Sequence, residues 1–235
     1  MDNTLFLTLN AFHGVTDILD ESRKLAGLSS QFENIANKII GGSYFEINGI
    51  RRIYPLEIEF YYHEEGEDGL KDPVMYHTNN HEGKQVEYYP LGSLNCHVSG
   101  IDVTFENKEK QYRASFLIRK YKVCKYNGEK WEEKKACEKR PTYIYDDMMM
   151  LISLSDGISI EWKPTESVNA SAMKIKPRIN VAEYKRNEVG KYEKIIISES
   201  KFRTLSKEEQ CEYFSYSGKK LKRCKRMWNY SVVDD

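Results

Sequence analysis

The sequence predicts a single α+β domain in which helices flank a mostly antiparallel β-sheet. Apolar side chains recur at helical spacing within about the first 41 of the 235 residues. From residue 43 to about residue 121, short segments alternate apolar and polar side chains and are separated by turn residues, which is typical of antiparallel strands. No internal repeat or low-complexity linker divides the chain, so we expect one domain over residues 1–235.

The helical part is predicted to occupy residues 1–41. Between residues 17 and 40 its apolar side chains have the spacing of an amphipathic helix, but Gly27 and the cap-like pair Ser29-Ser30 interrupt the pattern. We therefore expect two short helices, the second of which ends at the Gly41-Gly42 pair.

The first two strands are predicted on either side of Asn48-Gly49, a dipeptide that tolerates the positive φ values of a tight hairpin. Residues 64–88 are rich in Gly, Asp, Glu, His and Asn, which favours a long loop. The later elements are predicted to be strands at 94–105 and 112–121, a charged hairpin around Asn127-Gly128, a helix at 143–154, and strands at 175–181 and 192–198.

The overall charge and hydropathy of the chain do not identify the kind of molecule that it binds. There are 36 Lys and Arg residues and 36 Asp and Glu residues, so nucleic-acid binding requires a local patch of positive charge. The amino terminus lacks the basic start and apolar run of a signal peptide, and no apolar stretch approaches the ~20 residues that span a membrane. We therefore expect a soluble intracellular protein.

The cysteines do not form a recognisable framework. They are odd in number and include no Cys-x-x-Cys pair, which argues against a disulfide scaffold and against a zinc ribbon. A twelve-residue gap separates both Cys124 from Cys137 and Cys211 from Cys224, and a metal role for these pairs is the less favoured alternative to reduced structural thiols.

One acid, one phenol and two imidazoles are predicted on neighbouring strands and on the loop between them. Glu59 can activate a water, while Tyr61, His77 and His97 offer ring faces on which a planar base can stack. Two alternatives remain: Glu59 is part of a solvated sheet face, or the histidines bind a metal, since His77 and His81 have ligand spacing if they lie on a helix.

Taken in their order along the chain, several segments between residues 36 and 119 resemble segments of the alkyladenine (3-methyladenine) DNA glycosylase family. Residues 57–61 are similar to the Glu-x-Glu-Ala-Tyr strand of that family, and Asp72 with His77 is similar to its loop Asp and following His. Residues 90–94 resemble its Pro-Gly-Thr-Leu turn, and residues 116–119 resemble a strand that ends in Leu-Arg. The resemblance covers about residues 36–119 and continues more weakly to residue 181.

The resemblance implies a curved antiparallel sheet and a DNA glycosylase of base-excision repair. Such an enzyme flips an alkylated or deaminated purine out of double-stranded DNA and hydrolyses its N-glycosidic bond. By position, Glu59 corresponds to the carboxylate that activates water, Arg119 to the residue that orders the catalytic centre, and Tyr61, His77 and His97 to the walls around the base. The resemblance further implies a monomer of the cytoplasm, associated with the nucleoid, that needs no metal and no cofactor.

Two regions are expected to contact DNA. Val98 and Ser99 occupy the position from which the family inserts a hairpin tyrosine into the minor groove, so this wedge is expected to be reduced or moved. Residues 200–235 read as a basic and aromatic tail that suits a phosphate backbone. Its candidate phosphate ligands are Lys222, Arg223, Lys225 and Arg226. A solvated helix face is an equally favoured interpretation of the tail.

Three functional classes follow. The first is an active glycosylase, and the second is a nucleic-acid-binding protein of the same fold that no longer cleaves. A metal-dependent hydrolase is a distant third.

Overall fold

The structure is a computed structural model and describes residues 4–75, 77–79, 86–134, 141–149, 157–165 and 173–233. The chain divides into two compact units, one formed by Met1–Ile175 with Asn229–Asp235 and the other by Lys176–Trp228. The sequence predicts one domain because no repeat or low-complexity linker marks this boundary, which lies in strand-forming sequence rather than in a Pro/Gly/Ser-rich segment.

The chain is α+β, with a curled antiparallel sheet and few helices. The helices within the described residues are α1 (Thr4–Asn10), α2 (Glu21–Ile39), α3 (Ile144–Met149), α4 (Glu199–Arg203) and α5 (Lys207–Gln210). The strands are β1 (Ser43–Ile47), β2 (Arg51–Glu64), β3 (Leu94–His97), β4 (Gly100–Thr104), β5 (Tyr112–Tyr126), β6 (Trp131–Lys134), β7 (Ile160–Pro164), β8 (Met173–Lys176), β9 (Tyr184–Arg186), β10 (Tyr192–Lys194), β11 (Ile196–Ile197), β12 (Tyr213–Tyr216), β13 (Lys219–Lys222) and β14 (Asn229–Val232). None of the described helices is long and apolar enough to cross a membrane.

The first unit is built on a nine-stranded sheet with the order β3-β4-β5-β2-β1-β7, in which β6 pairs with β5 and β14 pairs with both β2 and β8. The two longest strands, β2 and β5, pair with each other along their lengths. The opposite edge of β2 is shared, because β1 pairs with its first residues and β14 pairs with residues 57–59. Strand β2 is therefore central and is buried on both faces.

Helix α2 is one helix of 19 residues, so the prediction of two short helices is wrong. The side chain of Asp20 caps it by accepting a hydrogen bond from the Arg23 amide, 2.8 Å away. Ser29 continues the helix because its hydroxyl donates to the Leu25 carbonyl, and Gly27 permits close packing, since a Cβ there would lie 3.2 Å from Val15. Tertiary packing thus overrides the helix-breaking signals of the sequence.

The two predicted asparagine–glycine turns are confirmed. Strands β1 and β2 meet at Asn48 and Gly49, which have φ values of 49° and 66°, the left-handed pair that a tight hairpin requires. Strands β5 and β6 likewise enclose Asn127-Gly128. The loop predicted at 64–88 contains no strand beyond Glu64 in its described part, and the helix predicted at 143–154 is present over the described residues Ile144–Met149.

Pleating gives β2 two distinct faces. Phe60 points toward α2 and stacks on Phe32 with ring centroids 4.3 Å apart and planes 7° from parallel. Side chains of opposite parity, including Glu57, Glu59 and Tyr61, therefore project from the other face. That face is the one that carries the candidate site.

The register between β2 and β5 shifts on the strand segment next to Pro55. Pairing is irregular on both sides of Glu57, so that Leu56 on β2 and Arg119 on β5 are each skipped. Proline lacks the N–H that a central ladder needs, and within sheets it is found at such irregularities. Because a bulge changes the direction in which nearby side chains point, this one accounts for the approach of Arg119 to the face that carries Glu59.

The second unit contains two small sheets. Strands β9 and β10 form a hairpin, and β13 lies between β11 and β12. Ala182, Phe214 and Leu221 form its buried core, against which Tyr184 packs. Residues 200–235, interpreted from the sequence as a tail, include α5 and strands β12–β14, and the basic segment is a strand at Lys219–Lys222 and irregular over residues 223–228 rather than a helix face.

Candidate active site

Glu59 lies in the middle of the sheet of the first unit and is fully buried. In the cross-strand row through Glu59, Leu117 on β5 stands on one side and Asn229 on β14 on the other. The alternative in which Glu59 belongs to a solvated sheet face is wrong for this reason. Burying a carboxylate without partners is costly, so its immediate neighbours decide its chemistry.

Two side chains converge on Oε1 of Glu59. The Tyr61 hydroxyl donates to it at 2.5 Å, and Nη2 of Arg119 donates to it at 2.5 Å. The same Nη2 also lies 3.2 Å from the Tyr61 oxygen, which closes a three-membered cluster. Glu59, Tyr61 and Arg119 were each predicted as site residues, and the structure brings these three together.

Asn229 completes the surroundings of Glu59 and is a residue that the sequence analysis missed. Its Nδ2 donates to Oε1 of Glu57 at 3.0 Å and to Oε2 of Glu59 at 3.3 Å. One amide group therefore bridges two buried carboxylates, and Nζ of Lys120 lies 4.0 Å from the second oxygen of Glu57. The only sequence signal was the short alternating segment after Trp228, which resembles a strand but does not indicate its neighbours.

Arg119 keeps its charge in this setting. Burial acts to lower the pKa of its guanidinium, but the adjacent Tyr61 and Glu59 outweigh burial and raise that pKa above its ordinary value. Its side chain is 17% exposed whereas that of Glu59 is 0% exposed, so Arg119 lies between the carboxylate and solvent. Arg119 thus places a permanent positive charge beside the carboxylate of Glu59.

His97 lies at the end of β3 and pairs with Asp102. Its Nδ1 accepts a hydrogen bond from the Ser99 amide at 3.2 Å, which places the proton of a neutral ring on Nε2, 3.1 Å from Oδ1 of Asp102. Asp102 belongs to the same cross-strand row as Leu117 and Glu59. His97 is on β3, three strands from Glu59, and its partner Asp102 on β4 is two strands from Glu59, roughly 10 Å at the usual strand spacing.

Val98 and Ser99 form the turn between β3 and β4. Val98 is 84% exposed, the second-highest exposure among the large hydrophobic side chains of the described residues. An apolar residue at the tip of a hairpin meets the geometric requirement for a small wedge.

His77 belongs to a separate buried network on the long loop. Its Nε2 lies 2.5 Å from Oε1 of Glu106, and its ring packs edge-on against Tyr89 at 5.0 Å. Glu106 in turn accepts a hydrogen bond from Arg113 at 3.2 Å. The sequence places His77 beside Glu59, but the structure pairs it with Glu106, which is not on the strand that carries Glu59.

Arg113 holds that loop to the sheet. It is fully buried, it stacks over the Tyr88 ring at 4.0 Å, and its guanidinium uses all three nitrogens as donors. The acceptors are Oε1 of Glu65, the carbonyls of Val86 and Glu87, Oδ1 of Asn79 and Oε2 of Glu106. Burial would raise the pKa of Glu65, but hydrogen bonds from His63, Arg113 and the Asn79 amide lower it to about 2.

The candidate phosphate ligands of the second unit differ in their surroundings. Arg223 is exposed and lies over the Phe214 ring at 5.3 Å, and Lys225 is exposed and pairs with Glu212 at 3.1 Å. Lys222 is half-buried on β13, and Arg226 is half-buried over the Trp228 ring at 5.0 Å.

The described residues contain no group of three or more His, Cys, Asp or Glu side chains arranged to hold a metal ion. His81, one of the two histidines with ligand spacing, lies outside the described residues, as does Cys137. Among the cysteines that the structure describes, Cys96 and Cys211 are exposed thiols and Cys124 and Cys224 are buried thiols.

Comparison of the chain with protein-family models, with curated proteins and with solved structures finds no significant match. No family is assigned to the chain, and the geometry around Glu59 is the basis for its proposed function.

Proposed function

We propose that the chain is a monofunctional DNA glycosylase, of the alkyladenine type in fold and chemistry, that removes a damaged purine from double-stranded DNA. The observation that supports this most directly is the cluster of Glu59, Arg119 and Tyr61 on one face of the sheet. It combines a carboxylate, which can act as general base toward a water, with a cation and a phenol that hold this carboxylate in place.

In the proposed reaction, Glu59 is the general base. A water oxygen forms a bond to C1′ of the sugar while the bond from C1′ to the base nitrogen breaks, and Glu59 takes the proton that the water loses. Positive charge develops at C1′ as the base leaves, and a nearby carboxylate stabilises it. Arg119 is a positioning residue, because its guanidinium donates to Oε1 of Glu59 and fixes the orientation of the carboxylate.

Access to Glu59 has to pass the two side chains that cover it. Tyr61 and Arg119 are partly exposed, whereas Glu59 is enclosed. In the proposal, a flipped nucleotide displaces the Tyr61 hydroxyl from Oε1 while Arg119 stays in place, and the ring of Tyr61 then forms one wall of the base pocket. The exposed Val98 at the β3–β4 turn is the apolar group that enters the space left by the flipped base.

The same enclosure favours a second candidate. A carboxylate that accepts hydrogen bonds from Tyr61, Arg119 and Asn229 is also what a purely structural buried acid looks like. In that case the chain is a nucleic-acid-binding protein that keeps the fold and no longer cleaves.

Base release from defined oligonucleotides separates the two candidates. We expect abasic sites when the protein is incubated with duplexes that carry hypoxanthine, ethenoadenine or 7-methylguanine, and none with an undamaged duplex of the same sequence. Binding of these duplexes without release of any of the three bases would exclude the glycosylase proposal for these lesions and favour the second candidate.

We expect base release to be unaffected by EDTA, because the proposed water activation uses a carboxylate instead of a metal hydroxide. The measurement is single-turnover release before and after exhaustive dialysis against chelator. Loss of activity that zinc or manganese restores would instead support the metal-dependent hydrolase and would direct attention to His77 and His81.

A further inference from the structure

The whole chain has a formal net charge of zero, but its two units carry large net charges of opposite sign. The second unit, Lys176–Trp228, contains fifteen Lys and Arg residues, seven Glu residues and no Asp, a formal net charge of +8. Since the whole chain has 36 residues of each sign, the first unit carries −8. Screening confines the field of a charge to roughly 8–10 Å at physiological salt, so a bound polymer responds mainly to the charges close to it.

Most positive charges of the second unit face solvent, some of them on strands. Ten of its fifteen cations are exposed, among them Lys185 on β9, Lys194 on β10 and Lys219 on β13. Tyr216, which is 61% exposed, stands opposite Lys219 on the β12–β13 hairpin. Cations interleaved with exposed aromatic rings suit a polymer that offers both phosphates and bases.

Other anionic partners fit this surface less well. Binding to a lipid surface commonly uses an amphipathic helix with a basic face, but the helices of the second unit within the described residues have only five and four residues. Several cations also lie over aromatic rings, such as Lys220 above Phe202 at 4.4 Å, which holds the charged groups at fixed points on the surface.

We propose that the second unit anchors the protein on nucleic acid, and that it binds the phosphate backbone without regard to sequence or lesion. The first unit, with its net negative charge, adds no electrostatic attraction and relies on the second unit to be brought to DNA. The inference shares with the proposed function the class of partner, but it does not depend on the chemistry of Glu59.

The test compares two full-length variants with the same change in net charge. One carries Lys185→Gln, Lys191→Gln, Lys194→Gln and Lys219→Gln, all at exposed positions of the second unit. The control carries Arg23→Gln, Lys38→Gln, Lys108→Gln and Lys130→Gln, all at exposed positions of the first unit. Binding of a labelled, undamaged DNA duplex is measured by fluorescence anisotropy between about 50 and 200 mM salt.

We expect the second-unit variant to flatten the log–log salt slope by up to about 3.6 units, since each lysine that touches a phosphate contributes about 0.9. The control is expected to keep the slope of the unmodified protein within one unit. Equal changes in both variants would show that only net charge matters and would overturn the inference. Tighter binding to phosphatidylserine vesicles than to the duplex would overturn it in favour of a membrane surface.

The inference and the proposed function fail in different ways. Base release from a hypoxanthine duplex, measured with the same two variants at saturating protein, provides the second readout. If the base is released but the four substitutions in the second unit do not change DNA binding, the anchoring role is overturned and the glycosylase proposal stands. Binding that depends on the second unit, without release of any base, would support the anchoring role and contradict the glycosylase.

Discussion

Replacing Glu59 by Gln is expected to lower single-turnover base release by about 10²–10⁴-fold, the usual contribution of a positioned general base. The amide keeps the size and shape of the side chain, and its one oxygen still accepts the hydrogen bonds made on one side of Glu59. It lacks the negative charge that accepts a proton from water. DNA affinity is expected to stay within a few fold, because phosphate contacts do not involve this buried residue.

Glu57→Gln is the matched control for this experiment. Glu57 lies two residues away on the same face, is equally buried, and shares the Asn229 amide with Glu59, but Arg119 and Tyr61 pair with Glu59. We expect base release to change far less in Glu57→Gln than in Glu59→Gln. Unchanged release in Glu59→Gln, or an equal loss in both variants, would mean that another group performs the chemistry.

Replacing Arg113 by Met is expected to lower the free energy of unfolding by about 3–5 kcal/mol, the usual effect of removing one partner from a buried ion pair. The carboxylates of Glu65 and Glu106 would remain buried without their guanidinium, and two loop carbonyls would lose a donor. Urea unfolding monitored by tryptophan fluorescence gives the measurement. As a control, Lys122→Met on the same strand removes a solvent-exposed pair with Glu133, and we expect a change of about 1 kcal/mol or less.

The loss of folding stability at low pH is expected to depend on the same contact between Arg113 and Glu65. Glu65 has a folded-state pKa of about 2, below the ordinary value of 4.5, so it stabilises the fold fully above pH 4.5. That contribution is lost as the pH falls from about 4.5 toward 2, because the carboxyl must be protonated. In Arg113→Met the pKa of Glu65 is expected to rise. The stability that the ionised Glu65 contributes is then lost at a higher pH than in the unmodified protein. An identical pH dependence of stability in both proteins would contradict this assignment.

The parts of the fold that could be predicted from the sequence are those set by neighbours along the chain. The Asn48-Gly49 turn fixes the register of its own hairpin, because two residues with positive φ leave few other geometries, whereas at Asn127-Gly128 the glycine alone supplies the positive φ of the turn. Helix α2 was divided wrongly at Ser29, since local propensity does not include the packing of Phe32 on Phe60 that favours a continuous helix.

The candidate site, too, could be predicted only where its contacts join residues that are close together in the sequence. Glu59 and Tyr61 are two residues apart on one strand, so their shared face follows from the period of the strand alone. The approach of Arg119 depends on the bulge beside Pro55, and the contact with Asn229 joins residues 170 positions apart. His77 was misplaced because Glu106 and Arg113, distant in sequence, hold its loop elsewhere on the sheet.

The pairing of β14 with β2 has a consequence for the order of events during synthesis. Residues 57–59 emerge from the ribosome long before residue 229, and until then this edge of β2 lacks the strand that covers it. Asn229 follows Glu59 by 170 residues, so the surroundings of Glu59 cannot be complete until that later part of the chain has been synthesised. The buried carboxylate therefore gains its Asn229 partner only after the other strands of the sheet have been made, however well those strands are already folded.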